Sequence, residues 1–359
     1  MQDKAMSKWL SPLMAFCLSF IIIATLAPIT GIQTDRQLDF WMLWLGTMLI
    51  LALPVCYLEI ALAKRSKTTA VQALSSLTRE ADASQKWRIV GWLGVIFIPF
   101  LAGAMLNNAS GLLSVAAIDV APQILFAGLA VFALALSLLP RQILLLLSTI
   151  GVLASLAFAH IQGTALPAWQ ITPIEFSEWG NATVLALVAS GLGMGLYWQS
   201  SLASVKEQSV ATKTVLPIWI AQLLAVVAFA FFAVKAQISA LTLCAAIVAA
   251  AAFILQMARE QLQQRQLNIA MQWLILSVAT LIWLIPNTAP VFNGLLIIWG
   301  LLICLVYAIF AGWIMKISHL RKSMNFSNEA FYNIWRIAVR VVLPLSIIIA
   351  LLAVIGQWV

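Results

Sequence analysis

The chain has 359 residues, of which 63% are apolar and only 9% charged, and its mean hydropathy is +1.02. A soluble globular chain is about half apolar and about a quarter charged, so this composition excludes a water-soluble enzyme and a disordered chain alike. At about 20 apolar residues per bilayer crossing, it holds material for about eleven spans and little besides.

In chain order, long uncharged runs predict membrane helices at 9–30, 40–63, 89–116, 121–139, 142–160, 182–203, 215–234, 237–257, 268–285, 291–315 and 332–356. The first run is longer than the apolar core of a cleaved signal peptide and shows no cleavage box, so it reads as a span. Between the second and third runs, the connection 64–88 has basic ends around an Ala/Leu-rich stretch from Thr69 to Leu77. That stretch reads as a short helix lying on the membrane surface. The connection 161–181 carries Pro167, Trp169, Pro173 and Trp179 and reads as an interfacial cap. No soluble domain is expected, only a single transmembrane domain over 1–359.

In a soluble chain the formal charge of +8 would point to nucleic acid. Here its placement matters more. Assigning loops alternately to two sides puts 18 of the 20 Lys and Arg on one side and only Arg36 and Lys235 on the other. Basic loops stay in the cytoplasm, and one missed span would scramble the split. The expected topology is a multi-pass plasma (inner) membrane protein, N-terminus cytoplasmic and C-terminus outside, with no nucleic-acid partner. Cys17, Cys56, Cys244 and Cys304 all lie inside apolar runs without metal or disulfide spacing, and they read as small core residues. His160 and His319 fall on opposite sides and cannot share a metal. No phosphate loop or nucleophile motif is present, so neither an enzyme nor a bound cofactor is expected.

Few residues within the spans can carry chemistry. Glu59 is the only acid inside one, five residues from Lys64. A carboxylate at that depth either serves a buried site or snorkels to the nearby interface, and the sequence favours neither. In the sixth run, Ser190-Gly191-Leu192-Gly193-Met194-Gly195 places three glycines at spacing two. Such a stretch weakens a helix and frees backbone groups, as in the discontinuous helices of transporters, although small residues also serve helix packing. In the first run, Ala24-Thr25-Leu26-Ala27-Pro28 offers a second break at Pro28, or a simple kink. Asn107-Asn108-Ala109-Ser110 in the third run either lines a cavity or bonds between helices.

Together these residues resemble the neurotransmitter:sodium symporter family, with the leucine-transporter fold. The matching features are Lys8-Trp9 at the start of the first span and Pro54 to Glu59, similar to the family's P-x-x-x-x-E. They continue with Trp87-Arg88-Ile89-Val90-Gly91 before Ile98-Pro99, and with Ser190 to Gly195 followed by Tyr197 and Ser200. The similarity is clear over 8–235 and looser beyond, where the span count and Arg265 agree.

The resemblance implies an all-α membrane protein with a five-plus-five inverted repeat, repeat one at about 9–160 and repeat two at about 182–315, plus an extra helix at about 332–356. It implies a small-molecule site between the breaks in the first and sixth spans. The substrate-binding residues would be Thr25, Ala27, Asn107, Asn108, Ser190, Gly191 and Gly193, with Pro28, Glu59 and Gly195 supporting the breaks. The departures concern the ions. Thr25 to Gly31 replaces the family's glycine-rich break with its sodium-binding asparagine and gate arginine. The sodium-binding hydroxyls of spans six and eight fall on Ala189 and on Cys244 and Ala245, and the substrate-binding tyrosine of span three falls on Leu106. Sodium needs hard oxygen ligands, so sodium coupling and amino-acid specificity do not carry over. The expectation is a symporter-like secondary transporter of a small organic solute. A non-transporting interaction or regulatory subunit is the second reading, and homo-oligomerisation or a partner subunit stays open.

Overall fold

The computed structural model describes residues 2–30, 38–116, 120–162, 168–205, 210–230, 239–326 and 328–357. The helices, in order, are α1 (Gln2–Leu26), α2 (Leu38–Ser66), α3 (Ala70–Glu80), α4 (Ile89–Ala116), α5 (Pro122–Leu136), α6 (Arg141–Gln162) and α7 (Phe176–Leu187). They continue as α8 (Leu196–Val205), α9 (Thr212–Ala228), α10 (Ala240–Gln264), α11 (Ile269–Leu284), α12 (Ala289–Ile314), α13 (Ile317–Met324) and α14 (Glu329–Gly356). Among the described residues seven helices are long and apolar enough to cross a bilayer, three more are shorter and apolar, and α7 and α8 form an interrupted pair. Gly31, Asp35, Arg36, Asp119, Pro167, Lys206 and Lys235, which carried part of the loop reading, lie outside the described residues.

Sorting of the helices follows from which faces carry small residues. α10 lies along α4 and α6, and α1 along α9. The Ala-rich stretch of α10 lets α6 approach so closely that a Cβ on Gly151 would come within 2.8 Å of the Ala246 Cα. At the periphery the polarity is the reverse of a soluble protein's. Leu345, Ile348, Leu352 and Ile355 form an exposed apolar stripe on α14, and Ile143, Leu146, Ile150 and Leu153 form one on α6. Stripes at helical spacing that face outward uncovered are stable only in lipid. The four cysteines are free and buried.

One expectation is corrected and a second is located more closely. The 69–77 stretch is helical, but Ala70, Val71, Ala73, Leu74 and Leu77 are buried in the protein. A Cβ on Gly91 of α4 would meet the Leu74 Cδ1 at 2.9 Å. Its apolar face is therefore spent on the bundle. In the first span, Ala24 and Thr25 are helical, with the Thr25 hydroxyl donating to the Ile21 carbonyl at 2.9 Å. The helix ends at Leu26, and Ala27 and Pro28 belong to the turn that follows. Pro28 lacks the N–H that would bond to Ala24 and crowds that carbonyl, so the helix stops before it.

Candidate functional site: the interrupted helix and Glu59

The sixth predicted span divides into α7 and α8 around a turn at 188–195. Gly191, Gly193 and Gly195 sit there at φ +71°, +81° and +74°. For an L-residue this left-handed region costs about 1–2 kcal/mol per residue, which is why glycine recurs at every second position. Space is short as well. A Cβ on Gly193 would stand 2.7 Å from the Cys304 Sγ.

Opening a helix inside an apolar bundle strands its amides and carbonyls, so each needs a partner. The partners come from several other helices. Glu59 of α2, only 3% exposed, accepts the Gly193 N–H on Oε1 at 2.5 Å and the Trp198 N–H on Oε2 at 3.3 Å. The Ser190 carbonyl accepts the Tyr197 hydroxyl at 2.7 Å and the Gln222 Nε2 of α9 at 3.1 Å. The Cys304 thiol of α12 points to the Leu192 carbonyl at 3.6 Å. From just beyond α2, the Thr68 carbonyl accepts the Trp198 indole N–H at 2.7 Å. Glu59 thus faces the turn and does not reach for the interface. A carboxylate suits this place because two oxygens can take two backbone amides, and hydrogen bonds to a charged group are worth about 1.5–3 kcal/mol each.

The other candidates form a second group. The Asn108 Nδ2 donates to the Thr25 carbonyl at 3.0 Å and ties α4 to the last turn of α1. Asn107 beside it is half-buried and makes no side-chain hydrogen bond among the described residues. No hydrogen bond among the described residues joins Thr25, Ala27, Asn107 or Asn108 to the turn at 188–195. Ser190 is fully buried, and its hydroxyl lies against the Met48 Sδ at 3.6 Å. Sequence reasoning missed Gln222 and Cys304. A lone glutamine in the apolar run of α9 was a usable signal. Cys304 had none, because its part depends on which face of α12 meets the turn.

The residues do not fit a coupling sodium ion. Ala189, Met105 and Leu106 are fully buried and offer no side-chain oxygen. The Cys244 thiol, a soft donor, bonds to the Ala109 carbonyl at 3.3 Å, which leaves the Thr25 hydroxyl as a lone hard side-chain oxygen among these positions. Sodium requires several hard oxygens, and the side chains at these positions do not supply them.

No protein-family model matches the chain, and no curated protein sequence does. Solved structures do match. MhsT in complex with L-phenylalanine aligns over 97% of this chain and 98% of its own, with a TM-score of 0.69 at 13% identity. The Eremococcus coleocola manganese transporter, in complex with an aromatic bis-isothiourea substituted compound, aligns over 99% of this chain and 87% of its own, with a TM-score of 0.56 at 14% identity. Its H236A mutant gives a TM-score of 0.54 at 13% identity, over 99% of this chain and 86% of its own. At such identities the likeness concerns architecture, and on that level it spans nearly the whole chain: this is a divergent protein with the leucine-transporter fold.

Proposed function

We propose that the chain is a secondary transporter that moves a small, uncharged organic solute by alternating access about the turn at 188–195. The observation that carries this reading is the interrupted helix itself. Three left-handed glycines and a buried carboxylate maintain a break in mid-bundle. A continuous helix would satisfy its own backbone groups without left-handed residues, so the break is retained at a cost. Both solved neighbours are transporters by name or complexed with a small molecule, which supports the class and not the cargo. The chemistry around the turn favours an uncharged organic cargo. Its one carboxylate is engaged by two amides, and among the described residues no group of three His, Cys, Asp or Glu could hold a metal ion. The sequence carries no nucleophile motif that would favour an enzymatic reading. The placement of Lys and Arg supports an inner-membrane protein with a cytoplasmic N-terminus and an outer C-terminus.

The test is solute-dependent thermal stabilisation of the purified protein across a panel of small uncharged solutes, followed by uptake into proteoliposomes. A stabilising solute should lose its effect in both Glu59→Gln and Gly193→Leu; undiminished stabilisation in both variants would remove this site from consideration.

One observation favours a second reading, a non-transporting membrane subunit derived from the fold. The Ser190 and Leu192 carbonyls and the Gly193 amide all have partners within the chain, and apolar side chains occupy the positions where the resembled family holds its ions. A stoichiometric partner on purification, with no uptake across the panel, would establish that reading.

A further inference from the structure

At the end of the bundle opposite the Lys/Arg-rich one, a cavity of about 230 Å³ lies between the turn after α1, the first half of the interrupted helix, and α12 and α14. Its lining includes Thr30, Asn181, Asn293 and Gln357 as polar groups, with Ile297 and Val354 among its apolar walls. It is separate from the turn at 188–195 and from the Asn108–Thr25 pair.

The hydrogen-bonding capacity around this cavity is largely unspent. Asn293 makes no side-chain hydrogen bond among the described residues. The Asn181 Oδ1 accepts only a long bond from the Gln357 Nε2, at 3.4 Å, and the same Nε2 reaches the Ser177 carbonyl at 3.3 Å. Both lie at the outer limit of hydrogen-bond length. Thr30 is buried at 4% exposure, and its hydroxyl donates to the Ala27 carbonyl at 3.2 Å, leaving its lone pairs free. Two Asn, a Gln and a Thr together present donors and acceptors on several sides of one space. Among the described residues no Asp, Glu, Lys, Arg or His lines it, so an ion would find no counter-charge from them.

We propose that this cavity is a second binding site, for a small uncharged molecule bearing both hydrogen-bond donors and acceptors, in the class of polyols, small sugars and amides. Its size is below that of drug-sized ligand pockets, which limits the occupant to a small solute. The ligand bridges the outer end of α7 to α12 and α14, so it clamps the first half of the interrupted helix to its neighbours. Water would satisfy some of these groups, and it is the competing occupant.

Saturation-transfer NMR on the full chain in detergent micelles tests this, with acetamide, erythritol and D-xylose as probes and glycine and inorganic phosphate as charged controls. At least one uncharged probe should receive transfer while the charged controls do not. Asn293→Leu should abolish the transfer, and Thr30→Val, which keeps the shape of a buried side chain, should weaken binding about five- to tenfold through one lost hydrogen bond. If Asn293→Leu fails to fold, Thr30→Val decides alone. The proposal is overturned if no uncharged probe receives transfer, which leaves a water-filled cavity. Equal transfer to the charged controls, or undiminished binding in the folded variants, would overturn it too.

Discussion

Glu59 accepts two backbone amides, one from within the break and one from the helix that follows it. Its glutamine variant keeps the shape but offers one acceptor oxygen in place of two, so one amide loses its partner and the other its charge-assisted bond. We expect Glu59→Gln to cost about 1.5–3 kcal/mol, read as a lower melting temperature in detergent. Amide exchange in peptides covering 188–198 should accelerate; unchanged exchange there would show that the brace is dispensable. At Gly193 two penalties coincide: the left-handed φ of +81°, and the Cys304 Sγ only 2.7 Å from where a Cβ would stand. Gly193→Ala should therefore destabilise by more than the roughly 1–2 kcal/mol that the backbone conformation alone costs. Cys304→Ala, added to it, should restore only the steric part, and a double-mutant cycle measures that coupling. Glycine spacing made the break legible from residues 190–195 alone. The contact with Cys304 was not, because it joins positions more than a hundred residues apart.

Among the elements, two proline-bearing helices solve the same problem in the same way. Pro54 follows a wide π turn at Met48–Ala52, and Pro344 follows one at Ala338–Val342. Proline supplies no N–H and crowds the preceding turn, and a widened turn absorbs both defects without ending the helix. Tryptophan side chains bond to carbonyls within both turns. The Met48 carbonyl, which also accepts the Leu53 N–H, takes the Trp219 indole at 2.9 Å, and the Arg340 carbonyl, four residues before Pro344, takes the Trp313 indole at 2.9 Å. At the second site the clasp is reciprocal. The Arg340 Nε donates to the Gly312 carbonyl at 2.6 Å, inside a third π turn at Phe310–Ile314, and its guanidinium lies 5.3 Å from the Trp313 ring centre. Lysine keeps the charge but loses the planar donor and the stacking face. Arg340→Lys should accordingly lower stability by about 1–2 kcal/mol, seen as a reduced melting temperature. The prolines could be read from sequence as sites of distortion. That the outcome is a π turn whose carbonyls bond to Trp219 and Trp313 depends on the neighbouring helices that carry those side chains. Pro28 makes the contrast: there α1 ends at Leu26 and residues 27–30 form a turn.

For the whole molecule, the orientation in the membrane rests on basic residues at the ends of helices, and it can be measured directly. The four native cysteines are buried, so a single introduced thiol reports with little background. Ser66→Cys, at the end of α2, should react with a membrane-impermeant maleimide only in inside-out vesicles, and Gly356→Cys, at the end of α14, only from outside. The reverse pattern would invert the topology. Hydrophobicity and charge placement by themselves determined that the chain is a helical membrane protein, and the runs at 89–116 and 291–315 closely match α4 and α12. That is expected, because burying backbone in lipid leaves a long apolar run little choice but helix. The tertiary structure alone decided where polar groups find partners. It turned Glu59 inward to Gly193, bound Asn108 to α1, buried α3 under the bundle and left Asn293 facing a cavity with other polar side chains. The physical reason is the same in each case. Apolar content sets whether a segment enters the membrane, but the rotation of one helix against another sets which few polar atoms meet, and no single helix carries that information.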